Sequence, residues 1–107
     1  MAVTLETEQE TLIAVLNGEI DHHCAKGMRS AIDEKIESCQ PDVLILDFGG
    51  VTFMDSSGIG LIMGRQRRMQ EIGGSLIVRN PPAHIRRVMH ISGSTKKSAP
   101  FINSTKP

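Results

Sequence analysis

The sequence has no tryptophan and no tyrosine, and its only aromatic residues are Phe48, Phe53 and Phe101. Its basic residues are therefore not interleaved with stacking surfaces, which argues against a nucleic-acid binder. No apolar run approaches the roughly 20 residues needed to cross a bilayer. The segment Met1 to Glu6 has no basic region followed by an apolar one, so it does not read as a secretory signal. Cysteine is scarce, and Cys24 and Cys39 make no metal-type spacing. They read as reduced thiols of a cytoplasmic protein, each filling a small apolar site. The glycines spell neither Gly-Lys-Ser/Thr nor a dinucleotide fingerprint. No cofactor and no resident metal is expected, and any nucleotide belongs to a partner.

What is present suffices for one domain spanning 107 residues. The net charge of zero hides an asymmetry. Residues 1–55 hold 11 acids and 3 bases, and residues 56–107 hold one acid and nine bases, so the halves carry −8 and +8. Folded side by side, they either make a charge dipole suited to oriented docking or neutralise each other across one body.

Thr4–Thr7 and Thr11–Asn17 are β-prone runs around Glu8-Gln9-Glu10 and predict a hairpin, with Asn17-Gly18 ending its second strand. Asp21 is placed to cap a first helix over His22–Cys39, where Cys24, Ala25, Met28, Ala31, Ile32, Ile36 and Cys39 recur at helical spacing. Gln40-Pro41-Asp42 stops it. Val43-Leu44-Ile45-Leu46 predicts a strand buried on both faces, broken by Gly49-Gly50, with Val51–Met54 following. A second helix is expected from Ser57 to Ile72, with Ile59, Ile62, Met63, Met69 and Ile72 inward. Gly73-Gly74 ends it and Ser75–Val78 is another strand. Pro81-Pro82 opens a third helix that stops at Gly93, with Ile85, Val88, Met89 and Ile91 inside. The ordered core is expected over residues 3–93, with 94–107 a weakly structured tail holding at most one strand. This order predicts an α/β domain: a mixed sheet of four to five strands with about three helices on it.

Met54-Asp55-Ser56-Ser57-Gly58-Ile59-Gly60 is the most informative stretch. It sets two hydroxyls and a carboxylate at a helix N-terminus, where unpaired N–H groups and the positive end of the dipole favour negative charge. Ser56 is thus a place where a phosphate is tolerated. Either serine also serves as a simple cap, which is the favoured role for Ser57. Asp55 either caps the helix or orients Ser56 and meets a partner. Gly60 and Gly64 are expected on an outer strip with Leu61, Arg67 and Arg68. Glycine inside a helix costs about 1 kcal/mol relative to alanine. Two of them therefore point to close approach by a partner or by a neighbouring helix.

Two segments together resemble anti-sigma-factor antagonists of the bacterial sporulation type, which are built as a STAS domain. One is Gly18-Glu19-Ile20-Asp21-His22-His23. The other is Phe53-Met54-Asp55-Ser56-Ser57-Gly58-Ile59-Gly60, followed by Gly64-Arg65 and Ile72-Gly73-Gly74. The resemblance runs from about Leu12 to Gly93. It implies partner switching without catalysis. The unphosphorylated protein binds a nucleotide-bound anti-sigma factor that is also a serine kinase, and so frees a sigma factor. Phosphorylation of Ser56 switches binding off, and a serine phosphatase restores it. The same resemblance puts Glu19 and Asp21 on the partner face, where Asp55, Ser56, Ser57 and Gly58 are also expected. No direct contact with nucleic acid or membrane is expected, and a monomer is favoured. The sequence departs from the family pattern after Ser92-Gly93: Ser94-Thr95-Lys96-Lys97 follows, and the family's final helix is expected to be missing.

Two rivals stand beside this reading. The same domain also serves general stress, chemosensory and transporter regulation. Asp21-His22-His23 also matches the motif of metal-dependent phosphoesterases, but those sites need further Asp/His clusters, and only His84 and His90 are left to supply them.

Overall fold

In the computed structural model, residues 3–83 are described in full and residues 101–102 as backbone. The chain opens with a hairpin, β1 (Val3–Glu8) and β2 (Thr11–Ile20), turning at Gln9 in the left-handed region. α1 (His22–Cys39), β3 (Val43–Met54), α2 (Ser56–Glu71) and β4 (Ser75–Arg79) follow, and Phe101–Ile102 form β5. The sheet order is β1-β2-β3-β4-β5, antiparallel at the hairpin and parallel elsewhere. The mixed sheet of the sequence reading is present, with two described helices. The third expected helix lies, apart from its first residues to Ala83, outside the described residues, as do His84 and His90.

Register explains the core. Leu12 and Ala14 of β2 align with Leu44 and Leu46 of β3, which align with Leu76 and Val78 of β4, and Leu16 and Phe48 are buried beyond them on the same face. Met28, Ile32 and Ile36 of α1 and Leu61, Ile62 and Met69 of α2 cover that face. Both helices lie on the same side because successive parallel strands are joined by right-handed crossovers.

Three strand expectations need correction. Val43 and Ile45 are only half-buried, because β3 alternates and only its even-numbered side chains meet the helices. Gly49-Gly50 does not break β3, and Asn17-Gly18 does not end β2. Each pairs with the other strand: Asn17 aligns with Gly50, Gly18 with Val51, Glu19 with Phe53 and Ile20 with Met54. Inter-strand hydrogen bonding overrides the local preference of glycine to leave a strand. The irregularities fall at Asn17 and between Gly18 and Glu19, where Gly18 has a φ of +82°. β4 follows β3 only as far as Asp47–Arg79. From Phe48 onward, β2 and β3 therefore project past β4 as a ribbon, and this ribbon delivers both helix starts to one end of the sheet.

Candidate functional site

The two helices begin at equivalent points. Ile20 and Met54 are neighbours across the β2–β3 ladder, and the N–H of Asp55 donates to the carbonyl of Ile20 at 3.2 Å. Asp21 and Asp55 are the two N-caps, both with extended backbone. The Asp21 carboxylate accepts from the N–H of Cys24 at 2.9 Å, and the Asp55 carboxylate accepts from the N–H of Ser57 at 2.8 Å. His22 and Ser56 are then the first residues of their helices, side by side at the sheet end. The backbone hydrogen bond from Cys24 holds the Asp21 carboxyl below the ordinary carboxylate range, as expected for an anion that satisfies free helix donors.

The residue that caps α2 is Asp55. The favoured capping role of Ser57 is corrected: Asp55 fills it. Ser57 donates its N–H to that cap and is half-buried, facing α1. Ser56 is exposed, and its hydroxyl has no hydrogen-bond partner among the described residues. Glu19 is exposed beside Phe53, itself 51% exposed.

The inner face of α2 differs from the expected stripe. Gly58, Leu61, Ile62, Arg65 and Met69 are buried, whereas Met63 is 47% exposed. Leu61, expected on the outer strip, packs in the core, and Gly58 is closed against Met54, whose side chain a Cβ there would strike. Arg68 is half-buried and pairs with Glu37 of α1 and with Glu71. The exposed residues of α2 are Ser56, Gly60, Met63, Arg67, Gln70 and Glu71, and the first five are spaced i, i+4, i+7, i+11 and i+14 along one line of the helix. A Cβ built on Gly60 or Gly64 meets nothing within 4 Å. No neighbouring helix among the described residues therefore requires these glycines.

Arg65 is the residue that counting apolar positions missed. It is 6% exposed and faces Asp33 of α1, with Nε–Oδ1 at 2.8 Å and an Nη2 hydrogen bond to Oδ2 at 3.2 Å. Burial lowers the guanidinium's pKa, and the Asp33 charge opposes that shift. An acid on the preceding helix, Asp33, is the signal in the sequence that could have found it. Cys24 is half-buried, while Cys39 is exposed and donates to the Lys35 carbonyl, so the expectation that both fill apolar sites holds for neither fully.

A groove of about 430 Å³ separates the N-terminal halves of α1 and α2, lined by His22, Ala25, Lys26, Arg29, Ser57, Gly60 and Leu61. His22 and His23 are exposed on the first turn of α1. Among the described residues no three His, Cys, Asp or Glu side chains converge on a point that would hold a metal ion. No described helix is long and apolar enough to cross a membrane.

Comparison with known proteins matches this arrangement. The family model described as STAS domain matches residues 2–106. The chain is 38% identical over 85 residues to the anti-sigma F factor antagonist of Lysinibacillus sphaericus, covering 79% of this chain and 73% of that protein. It is 37% identical over 98 residues to the anti-sigma F factor antagonist of Paenibacillus polymyxa, covering 90% and 82%. The solved Bacillus cell fate determinant SpoIIAA in its phosphorylated form superposes with a TM-score of 0.78 at 33% identity, over 97% of this chain and 94% of that one.

Proposed function

The chain belongs to the STAS domain family, and on that premise we propose that it is an anti-sigma-factor antagonist whose binding is switched by a phosphate on Ser56. The unphosphorylated protein binds an anti-sigma factor and so releases a sigma factor in the cytoplasm. The anti-sigma factor, carrying its own nucleotide, is the serine kinase that adds the phosphate, and a serine phosphatase removes it. The chain itself acts by binding. The names of the two curated relatives and of the phosphorylated structural neighbour support this reading.

The observation that carries it is the division of labour at the start of α2. Asp55 does the capping, and Ser56 is left exposed with an unengaged hydroxyl. A phosphoserine brings about −1.5 to −2 charges near neutral pH. The N–H of Ser57 is already held by Asp55, so a phosphate on Ser56 does not take over the cap and faces the Asp55 charge behind it. It therefore projects outward. It acts on the partner surface by repulsion, bulk and desolvation, and the fold stays as it is.

Incubation with the cognate serine kinase and ATP, followed by phosphosite mass spectrometry, tests the switch. One phosphate on Ser56, lost in Ser56→Ala, is the expected result. An unlabelled chain under conditions that label the Paenibacillus polymyxa antagonist overturns it.

A further inference from the structure

The strands alternate, and the helices use only one set of their side chains. The other set is also in register. Ile13 of β2, Ile45 of β3 and Ile77 of β4 stand side by side in one row. Val43 lies in the row before them and Val15 in the row after. All five are half-buried, and none packs against the core beneath the helices. Both described helices cover the opposite face. Sheets of parallel strands are usually covered on both faces. Here the three parallel strands carry a continuous β-branched patch on a side that no described helix covers.

The charges on this face are unevenly placed. Glu6 and Glu8 of β1 lie beside Ile13 and Thr11. Asp47 and Arg79 lie in the row of Val15 and pair with each other at 3.1 Å. One side of the patch is therefore acidic, and the other ends on a guanidinium that is partly exposed. The chain as a whole has no net charge, so two copies meet without general repulsion.

We infer that this sheet face is a contact between two copies of the chain, related by a two-fold axis running along the strands between β2 and β3. That axis lays β2 over β3 and β1 over β4 of the other copy, with interdigitating side chains. Ile13 then meets Ile45, and Glu6 and Glu8 face the strand that carries Arg79. An axis across the strands would stack each β1 on its own copy, acid against acid. The size of the patch sets its strength. Four strands about 4.8 Å apart, each contributing five residues of about 3.3 Å, give a footprint of about 300 Å². A stable complex buries about 800 Å² on each partner, so this pair is reversible, half-formed at about 0.1 mM and monomeric when dilute. Ser56 and both helix starts remain on the outer sides of the pair.

The test is sedimentation equilibrium of the purified chain from about 10 μM to about 1 mM, with melting curves for each variant. The unaltered chain is expected to pass from monomer to dimer across that range. Ile13→Thr and Ile45→Thr keep the β-branched shape and remove apolar surface. Each is expected to raise the midpoint about tenfold or more at an unchanged melting temperature. The control is Met63→Thr, an exposed apolar residue on α2, which should leave the midpoint within about twofold. If the isoleucine variants do not fold, amide NMR of the unaltered chain on dilution reads the same contact, with shifts expected in β1–β4 and not in α1 or α2. A monomer at every concentration overturns the inference. So does equal weakening by Ile45→Thr and Met63→Thr, or dilution shifts that fall on the helices. Stronger association of Glu6→Gln would contradict the orientation, since only β1 stacked on β1 is relieved by that change.

Discussion

Three candidate caps stand in a row at Asp55, Ser56 and Ser57, and residue preference alone does not choose among them. The choice is made one strand away. The Ile20 carbonyl takes the N–H of Asp55 and holds it in extended backbone, so the helix begins at Ser56. Asp21 was legible because a single capping residue precedes α1. Asp55→Ala is therefore expected to lower stability by about 0.5–2 kcal/mol, while Ser56→Ala stays within about 0.5 kcal/mol, as for a surface side chain with no partner. Urea unfolding of the two variants measures the contrast. The Asp21 carboxyl supplies a pH test. Its pKa is lowered in the folded state, so its contribution is present above the ordinary value of about 3.9 and is lost as pH falls through the folded value. An NMR acid titration should find Asp21 ionised below that ordinary value. The thiols are a third case. Hydrogen bonding with Asp21 and partial burial push the Cys24 thiol up, and Cys39 is exposed. Iodoacetamide should thus label Cys39 well before Cys24, as read by peptide mass spectrometry.

At the scale of elements, periodicity located both helices and all four main strands but misread how they pack. The α2 stripe was counted from apolar residues, which drew Met63 inward and left Arg65 out. The structure reverses them, because Arg65 finds Asp33 across the interface and Met63 lies between open positions. A buried guanidinium with a specific acid partner is invisible to a count that treats charge as exposure. Replacing Asp33 by Ala leaves that guanidinium without its partner and should cost about 1–3 kcal/mol in urea unfolding. Gly60 and Gly64 offer the opposite experiment. With no neighbour within 4 Å, each substitution to Ala is expected to raise stability by up to about 1 kcal/mol in the free protein. Gly64→Ala should then weaken partner binding without lowering the melting temperature. A lowered melting temperature would instead mean internal packing. The strand ends were misread for a related reason. Asn17-Gly18 and Gly49-Gly50 look like breaks one at a time, yet Asn17 pairs with Gly50 and Gly18 with Val51, and pairing is not a local property.

For the molecule as a whole, the α/β order was legible from periodicity, and the family resemblance put the two motifs on one face. The pairing of Ile20 with Met54 puts the two helix openings together. The balance between charge dipole and neutralisation was not legible, because it depends on which acid each arginine reaches. Three cross-helix and cross-strand pairs neutralise part of the asymmetry. On the proposed function, the face around Ser56 is read by an anti-sigma factor and erased by one phosphate. The most direct test is the affinity of the purified chain for the Paenibacillus polymyxa anti-sigma F factor, before and after stoichiometric phosphorylation at Ser56, with amide NMR spectra of both forms. Binding is expected to fall by about a hundredfold or more on phosphorylation, with shift changes confined to the two helix starts and the adjoining strand ends. Equal affinity for the two forms, or shifts spread through every strand, would contradict it.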